Sequence, residues 1–465
     1  MRRTRFICTL GPATQSEEVI TELIDSGADV FRLNMSHASH EWCRDLVDII
    51  RRVSEASGKA VGILFDLQGP SIRTGDVAKP FDLKVGSRVE FTVHNAKPGM
   101  PQSTTVNYEG ILQDVCEGAA LIVDNGALLM EVESIQRDRM VCLVKTAGIM
   151  GSRRHINLPG VRLNLPALTE KDHKDLKLAV ECDADFVAGS FVRDAGHVRE
   201  LRAAMLKLGG HAQIVSKLED QEAIKHLDDI IIESDVIMVA RGDLGIEINI
   251  EELPIIQRRI VRQCLILGRR VIVATHMLES MIENPTPTRA EVTDVANAVY
   301  EEADALMVSG ETSVGRHPIR CVNILDRVSR RIERSGGMGY GKEAELQTEK
   351  QKTIRAAVNL ADSIPEALVV IFTRSGNTAH QAGLLRPRSP IFAFTPDERV
   401  RRALTLSRGV RSYRIEFRAQ PKETIALATE MLRRTRDVKP GTPLVVISDT
   451  LQEDNVVDSV LLVHA

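Results

Sequence analysis

Residues 212–243 read AQIVSKLEDQEAIKHLDDIIIESDVIMVARGD. Two short apolar runs, 212–218 and 235–240, end in chemistry: Lys217-Leu218-Glu219 after the first and Arg241-Gly242-Asp243 after the second. The same texture recurs at 4–10, 28–33, 60–65, 184–191, 270–274 and 303–308, giving eight runs rich in Val, Ile, Phe or Leu. Helical patterns follow most of them. After the first run, Ser16 is placed to cap a helix carrying Val19, Ile20, Leu23 and Ile24 on one face, and Gly27 can end it. Thr288 and Glu291 have capping-box spacing. Eight strand–helix units are what a (β/α)8 TIM barrel needs, although an open doubly wound sheet also answers to this alternation.

Where the polar residues fall favours the barrel. Six runs end in Arg32-Leu33-Asn34, Asp66, Lys217-Leu218-Glu219, Arg241-Gly242-Asp243, Thr275-His276 and Ser309-Gly310-Glu311. Barrel strands bring their C-terminal ends to one face, so residues far apart in sequence converge there. A single charged residue after a strand is more often a helix cap; six clusters are hard to read as six accidents.

Between the third and fourth runs the texture changes to period two, with Val89, Phe91 and Val93 separated by Glu90 and Thr92. Asn125-Gly126 between two apolar runs favours a type I′ hairpin. Four glycines in 334–341 mark a linker, after which strands are expected at 367–372, 389–394 and 443–448. The fold predicted is α/β: a TIM barrel over 1–73 and 167–335, an inserted small β-barrel domain over 74–166 that could act as a lid, and a C-terminal α/β domain over 346–465.

Composition narrows the function. Of 465 residues, 43% are hydrophobic and 27% charged, a soluble globular profile. A net charge of −4 and 3% aromatics argue against nucleic-acid partners. No stretch approaches a membrane span and no signal peptide is expected. Seven scattered cysteines without a CxxC pair suit reduced thiols, so the expected location is cytoplasmic.

Lys217 and Glu219, two apart on a strand, point the same way. With Asp243 from the next strand they could hold Mg²⁺ or Mn²⁺ beside an ammonium that faces an anion; a buried Lys–Glu ion pair is the plainer alternative. Arg32 and Arg73 suit phosphate, and a phosphoryl group in flight needs positioning and charge neutralisation. Asn34, Ser36 and Asp66 offer oxygens for a second cation. Neither a Walker loop nor a kinase-type glycine loop is present.

MRRTRFICTLGPAT, DVFRLNMSHASHEW, FDLQGPSIRTG, IVSKLEDQEAI, DVIMVARGDLGIEI, VIVATHMLESMIENPTPTRAEVTDVANAV and ALMVSGETSVGRHPIRCV, in this order, resemble the pyruvate kinase family. The resemblance implies phosphoryl transfer between phosphoenolpyruvate and ADP/ATP. It makes Glu219 and Asp243 the divalent-metal ligands and Lys217 the group that steadies the transferring phosphoryl and the enolate. Arg32 and Arg73 contact phosphates, Thr275 lies near the protonated carbon, and backbone at Gly242 and Asp243 receives the substrate carboxylate. Asn34, His37, Arg73 and Arg154 fall at the nucleotide, and Asn34, Ser36, Asp66 and the Leu67 carbonyl surround a K⁺ site. It further implies a homotetramer and a phosphorylated effector at 373–378.

Several positions depart from the family. Ser71 replaces a glutamate near the K⁺ site, so weak or absent K⁺ dependence is expected. His276 stands for a usual glutamine and His155 for a usual glycine. Residues 448–454 lack the glycine-rich effector loop, and Asp449, Glu453 and Asp454 would repel phosphate, so sugar-phosphate activation is expected to be altered or lost. Two other readings remain: a nucleotide-independent barrel acting on phosphoenolpyruvate or a 2-oxo acid, and a non-catalytic sensor, although a sensor would readily lose Lys217, Glu219 or Asp243.

Overall fold

The computed structural model describes residues 2–93, 96–452 and 455–465. All eight apolar runs are parallel strands: Arg5–Thr9, Val30–Asn34, Gly62–Asp66, Phe186–Gly189, Gln213–Leu218, Val236–Ala240, Arg270–Ala274 and Ala305–Val308. Each pairs with the next, and the eighth pairs back onto the first, so the sheet is a closed barrel and not an open one. The expected caps are in place. Ser16 accepts from the Val19 N–H ahead of helix Glu17–Ser26, which Gly27 ends at φ 112°, and Thr288 and Glu291 form a reciprocal capping box on Arg289–Tyr300.

The alternation of the strands sets up the site. Ile7, Val30, Leu64, Ala188 and Val215 belong to one buried cluster that fills the barrel interior. Thr9, Arg32, Asp66, Ser190 and Lys217 each lie two residues further on, so the pleat stacks them as the next layer towards the C-terminal mouth. At the opposite end the interior cluster is completed by Leu406, from the C-terminal part of the chain, which is fully buried there.

The insertion is β-rich, with one short helix at Ile111–Asp114, on its own apolar core. Its strands form a six-stranded sheet and a separate two-stranded ribbon, Phe81–Leu83 with Gly148–Met150, so the expected small barrel is not closed by a continuous ladder. Strict alternation also fails. Glu90 and Thr92 are buried along with Val89 and Phe91, because Glu90 is matched by Arg139 at 2.9 Å and by the Gly99 N–H at 2.7 Å. The Asn125-Gly126 turn has positive φ at both residues and closes through the Ala127 N–H to the Asp124 carbonyl at 3.1 Å, as a type I′ turn requires.

The C-terminal sheet has five strands, ordered Val410–Arg414, Ile391–Thr395, Leu368–Phe372, Pro443–Gln452 and Asn455–His464, the last antiparallel. The two strands not expected from sequence are both edges; Val410–Arg414 carries Arg411, Ser412 and Arg414, a pattern that no buried strand would show. The glycine-rich stretch expected as a linker is docked: Tyr340 is buried against Leu265 and Leu384. A large aromatic with apolar neighbours on both sides overrides the flexibility of the glycines around it.

Candidate active site

At the mouth of the barrel, Lys217 Nζ lies 3.0 Å from Glu219 Oε1 and 3.4 Å from Asp66 Oδ1. It donates to Ser190 Oγ at 2.7 Å. Arg32 Nε donates to Asp66 Oδ2 at 2.6 Å and its Nη1 to Thr9 Oγ1 at 3.1 Å. Two cations thus share one buried carboxylate. Burial opposes the charge on Lys217, but Asp66 and Glu219 outweigh it and hold the ammonium above its ordinary pKa. Burial would likewise raise Asp66; Lys217 and Arg32 reverse the effect and keep it ionised.

Glu219 is held from its other side. Its Oε2 accepts from the Phe191 N–H at 2.6 Å, a donor aimed by the left-handed backbone of Phe191, φ 54°. Burial and the neighbouring Asp243 nonetheless push its carboxyl up, against the pull of Lys217. Asp243 is only partly buried and takes no hydrogen bond from a described residue; His155 Nδ1 stands 3.6 Å away. His155 packs on the Phe191 ring, and burial with Arg73 lowers its pKa to about 4, so the ring is neutral. Among the described residues no group of three or more His, Cys, Asp or Glu could hold a metal. The chain instead offers two adjacent carboxylates, hard oxygens whose mutual repulsion a divalent cation relieves. That suits Mg²⁺ or Mn²⁺ completed by substrate and water.

One cleft between barrel and insertion is lined by Arg32, Asn34, Ser36, His37, Leu67, Arg73, Arg154, Lys217, Glu219 and Asp243. Arg73 donates to Ser71 Oγ at 3.3 Å and to the Arg153 carbonyl at 3.2 Å. Arg154, on the insertion, pairs with Asp124 at 3.1 Å and is exposed to the cleft. Gly242 and Thr275 engage each other instead: the Gly242 N–H donates to Thr275 Oγ1 at 2.8 Å. Thr275 itself is held at φ 66°. Arg241, buried, braces this turn through Asp294 at 2.7 Å and the carbonyls of Ala274 and Thr275.

Several of the oxygens expected around a monovalent cation already have partners. Asn34 Oδ1 accepts from the Ser36 N–H at 3.2 Å, the Leu67 carbonyl accepts from Ser190 Oγ at 2.8 Å, and Asp66 faces Arg32 and Lys217. Ser190 and Thr9 close strands four and one, the two whose ends showed no charged cluster. Their hydroxyls complete the layer, and a lone Ser or Thr after an apolar run gives little to notice.

The model for the pyruvate kinase barrel domain matches residues 1–322, and that for the pyruvate kinase alpha/beta domain matches residues 351–463. The chain belongs to the pyruvate kinase family. It is 38% identical over 457 residues to pyruvate kinase isozyme G, chloroplastic, of Nicotiana tabacum, covering 97% of this chain and 81% of that protein. It is 36% identical to the pyruvate kinase of Geobacillus stearothermophilus, covering 96% and 77% of the two chains, and 36% identical to that of Mycobacterium intracellulare, covering 96% and 95%. Within this pyruvate kinase frame, Lys217, Glu219 and Asp243 line one cleft at the mouth of the barrel. No helix among the described residues is long and apolar enough to cross a membrane.

Proposed function

We propose that this chain transfers the phosphoryl group of phosphoenolpyruvate to ADP, giving pyruvate and ATP. One observation carries the reading: the Lys217 ammonium lies between the carboxylates of Asp66 and Glu219, and Lys217, Glu219, Asp243, Arg32 and Arg73 all face one cleft. Glu219 and Asp243 would hold Mg²⁺ or Mn²⁺, which supplies Lewis-acid polarisation of the phosphoryl and enolate oxygens. Lys217, kept protonated by its neighbours, neutralises the growing enolate charge and is too weak an acid to give up its proton readily. Arg32 and Arg73 hold the phosphoryl oxygens, and His37 and Arg154 face the nucleotide from opposite walls of the cleft. Closure of the insertion over the mouth would exclude water and limit hydrolysis.

The substrate carboxylate needs backbone donors at the Gly242-Asp243 turn. Because Thr275 Oγ1 occupies the Gly242 N–H, its entry requires Thr275 to rotate. That frees a hydroxyl near the carbon to be protonated. A homotetramer, a phosphorylated effector at 373–378 and a cytoplasmic location belong to the same reading; seven free cysteines favour a reducing compartment.

A coupled lactate dehydrogenase assay with phosphoenolpyruvate, ADP and Mg²⁺ tests the function. The expected result is NADH oxidation that needs all three and is lost in Lys217→Ala. Pyruvate formed without ADP would favour the nucleotide-independent alternative, and no turnover in the folded protein would sink the proposal.

A further inference from the structure

Away from the cleft, a pocket of about 110 Å³ opens where the N-terminal segment meets the C-terminal domain. Its charged lining is all cationic: Arg3, Arg386, Arg388 and Arg408. Arg408 is 6% exposed. It makes no hydrogen bond or ion pair among the described residues, and its Nε is a buried donor without a partner. Arg386 turns both Nη atoms to Asp304, at 2.8 Å each, and to the carbonyls of Gly383 and Glu302, and its Nε is buried and unpartnered among the described residues. Arg3 gives its guanidinium only to the Arg388 carbonyl, at 2.9 Å.

None of the acids nearby pairs with Arg408, although Glu302 keeps one buried oxygen without a partner among the described residues. Asp304 is matched by Arg386. Glu333 takes the backbone N–H groups of Arg3 and Thr4 at 2.7–3.0 Å. Glu302, Glu333 and Asp304 all act on Arg408 only from beyond ion-pair range, and burial with Arg386 brings its guanidinium down to about 10. A buried charge is normally paired, and an orphaned buried donor is costly. Arg3, Arg386 and Arg408 line one cavity with no acid in its lining, and an anion there would give the unpaired Arg408 guanidinium the partner it lacks.

We infer that Arg408 and Arg3, with Arg386 adding positive charge beside them, form a binding site for a small phosphate-type anion, held by guanidinium hydrogen bonds of Arg408 and Arg3 between the barrel's N-terminal strand and the C-terminal domain. A pocket of this size admits a phosphate or the phosphoryl end of a small phosphomonoester. Arg3 precedes the first barrel strand, Arg386 follows helix Asn377–Leu384, and Arg408 precedes strand Val410–Arg414. An anion there would tie the two parts of the chain together.

The test is a melting titration of the full chain with inorganic phosphate, and in parallel with glycerol 3-phosphate, at constant ionic strength. A saturable rise in melting temperature is expected. It should vanish in Arg408→Met, shift to about tenfold higher concentration in Arg3→Ala, and survive both Arg73→Ala and Arg374→Ala. If only phosphate acts, the free ion is the ligand; if glycerol 3-phosphate acts equally, a phosphomonoester is. A full response in Arg408→Met and Arg3→Ala, or its loss in Arg73→Ala or Arg374→Ala, overturns the site. Should Arg408→Met fail to fold, Arg3→Ala, at a half-exposed residue, decides alone.

Discussion

Ser190 Oγ accepts a hydrogen bond from the Lys217 ammonium at 2.7 Å and donates its own to the Leu67 carbonyl at 2.8 Å. One hydroxyl therefore fixes the direction of the ammonium and quiets an oxygen expected to face a cation. Removing it should disturb both. In Ser190→Ala, Lys217 keeps its two carboxylates and loses its orienting partner. Hydrogen bonds to charged groups are worth about 1.5–3 kcal/mol, so kcat should fall about 10- to 100-fold with KM little changed. Steady-state kinetics with phosphoenolpyruvate varied will show it; an unchanged kcat would remove Ser190 from the site.

Glu219→Gln keeps the shape of the side chain and its bond from the Phe191 N–H, and deletes one negative charge from the pair with Asp243. Affinity for Mn²⁺, followed by electron paramagnetic resonance, should drop steeply while the far-ultraviolet circular dichroism stays the same. Tight Mn²⁺ binding in this variant would place the metal elsewhere.

Glu247 ties barrel to insertion, accepting from Asn157 Nδ2 at 2.9 Å. Burial lifts its pKa to about 7. A carboxyl raised in the folded state favours folding while protonated, so its contribution is complete below the unfolded value near 4.5 and is lost as pH rises through about 7. Glu247→Gln, which keeps the acceptor oxygen, should melt close to wild type at pH 5 and a few degrees above it at pH 8. A gap that narrows with pH would reverse the assignment.

With Asp66 neutralised by Arg32 and Lys217 and with Ser71 in place of an acid, no negative charge here demands a monovalent cation. Exchanging K⁺ for a bulky organic cation should leave most of the turnover, and Ser71→Glu should introduce a K⁺ requirement. An absolute K⁺ requirement in the wild type contradicts this.

In the C-terminal domain, Gly376 at φ 84° starts helix Asn377–Leu384, and its N–H is taken by Thr373 Oγ1 at 2.9 Å. Opposite, strand Pro443–Gln452 runs on where a glycine-rich loop was looked for. Glu453 and Asp454 lie outside the described residues. Fructose 1,6-bisphosphate should not shift half-saturating phosphoenolpyruvate appreciably; a large shift would restore a sugar-phosphate effector.

The eight barrel strands were legible because each buries both faces and so reads as an unbroken apolar run, and the site residues because charge directly after such a run is conspicuous. What stayed hidden depended on neighbours brought together by folding. Ser190 and Thr9 carry no charge. Phe191 matters through a backbone twist that no side chain announces. Glu90 looks solvent-facing until Arg139 is placed beside it. Tyr340 sits among glycines that suggest freedom, and only the packing of Leu265 and Leu384 removes it. Edge strands escaped because one side of each meets no partner, which relaxes the demand for apolar residues.

Leu406 closes the lower end of a barrel to whose strands it does not belong. Beside it Arg402 grips Asp183 and Asp185 at 2.6 and 2.7 Å, and Arg270 reaches the Ala403 carbonyl at 3.2 Å. The catalytic half cannot finish its own interior; a ribosome that has released only the first three hundred-odd residues has made a cup without a base. The barrel of the nascent enzyme can therefore close its interior only after the chain has been made beyond Leu406, and a cut that removed this segment would take the stopper with it.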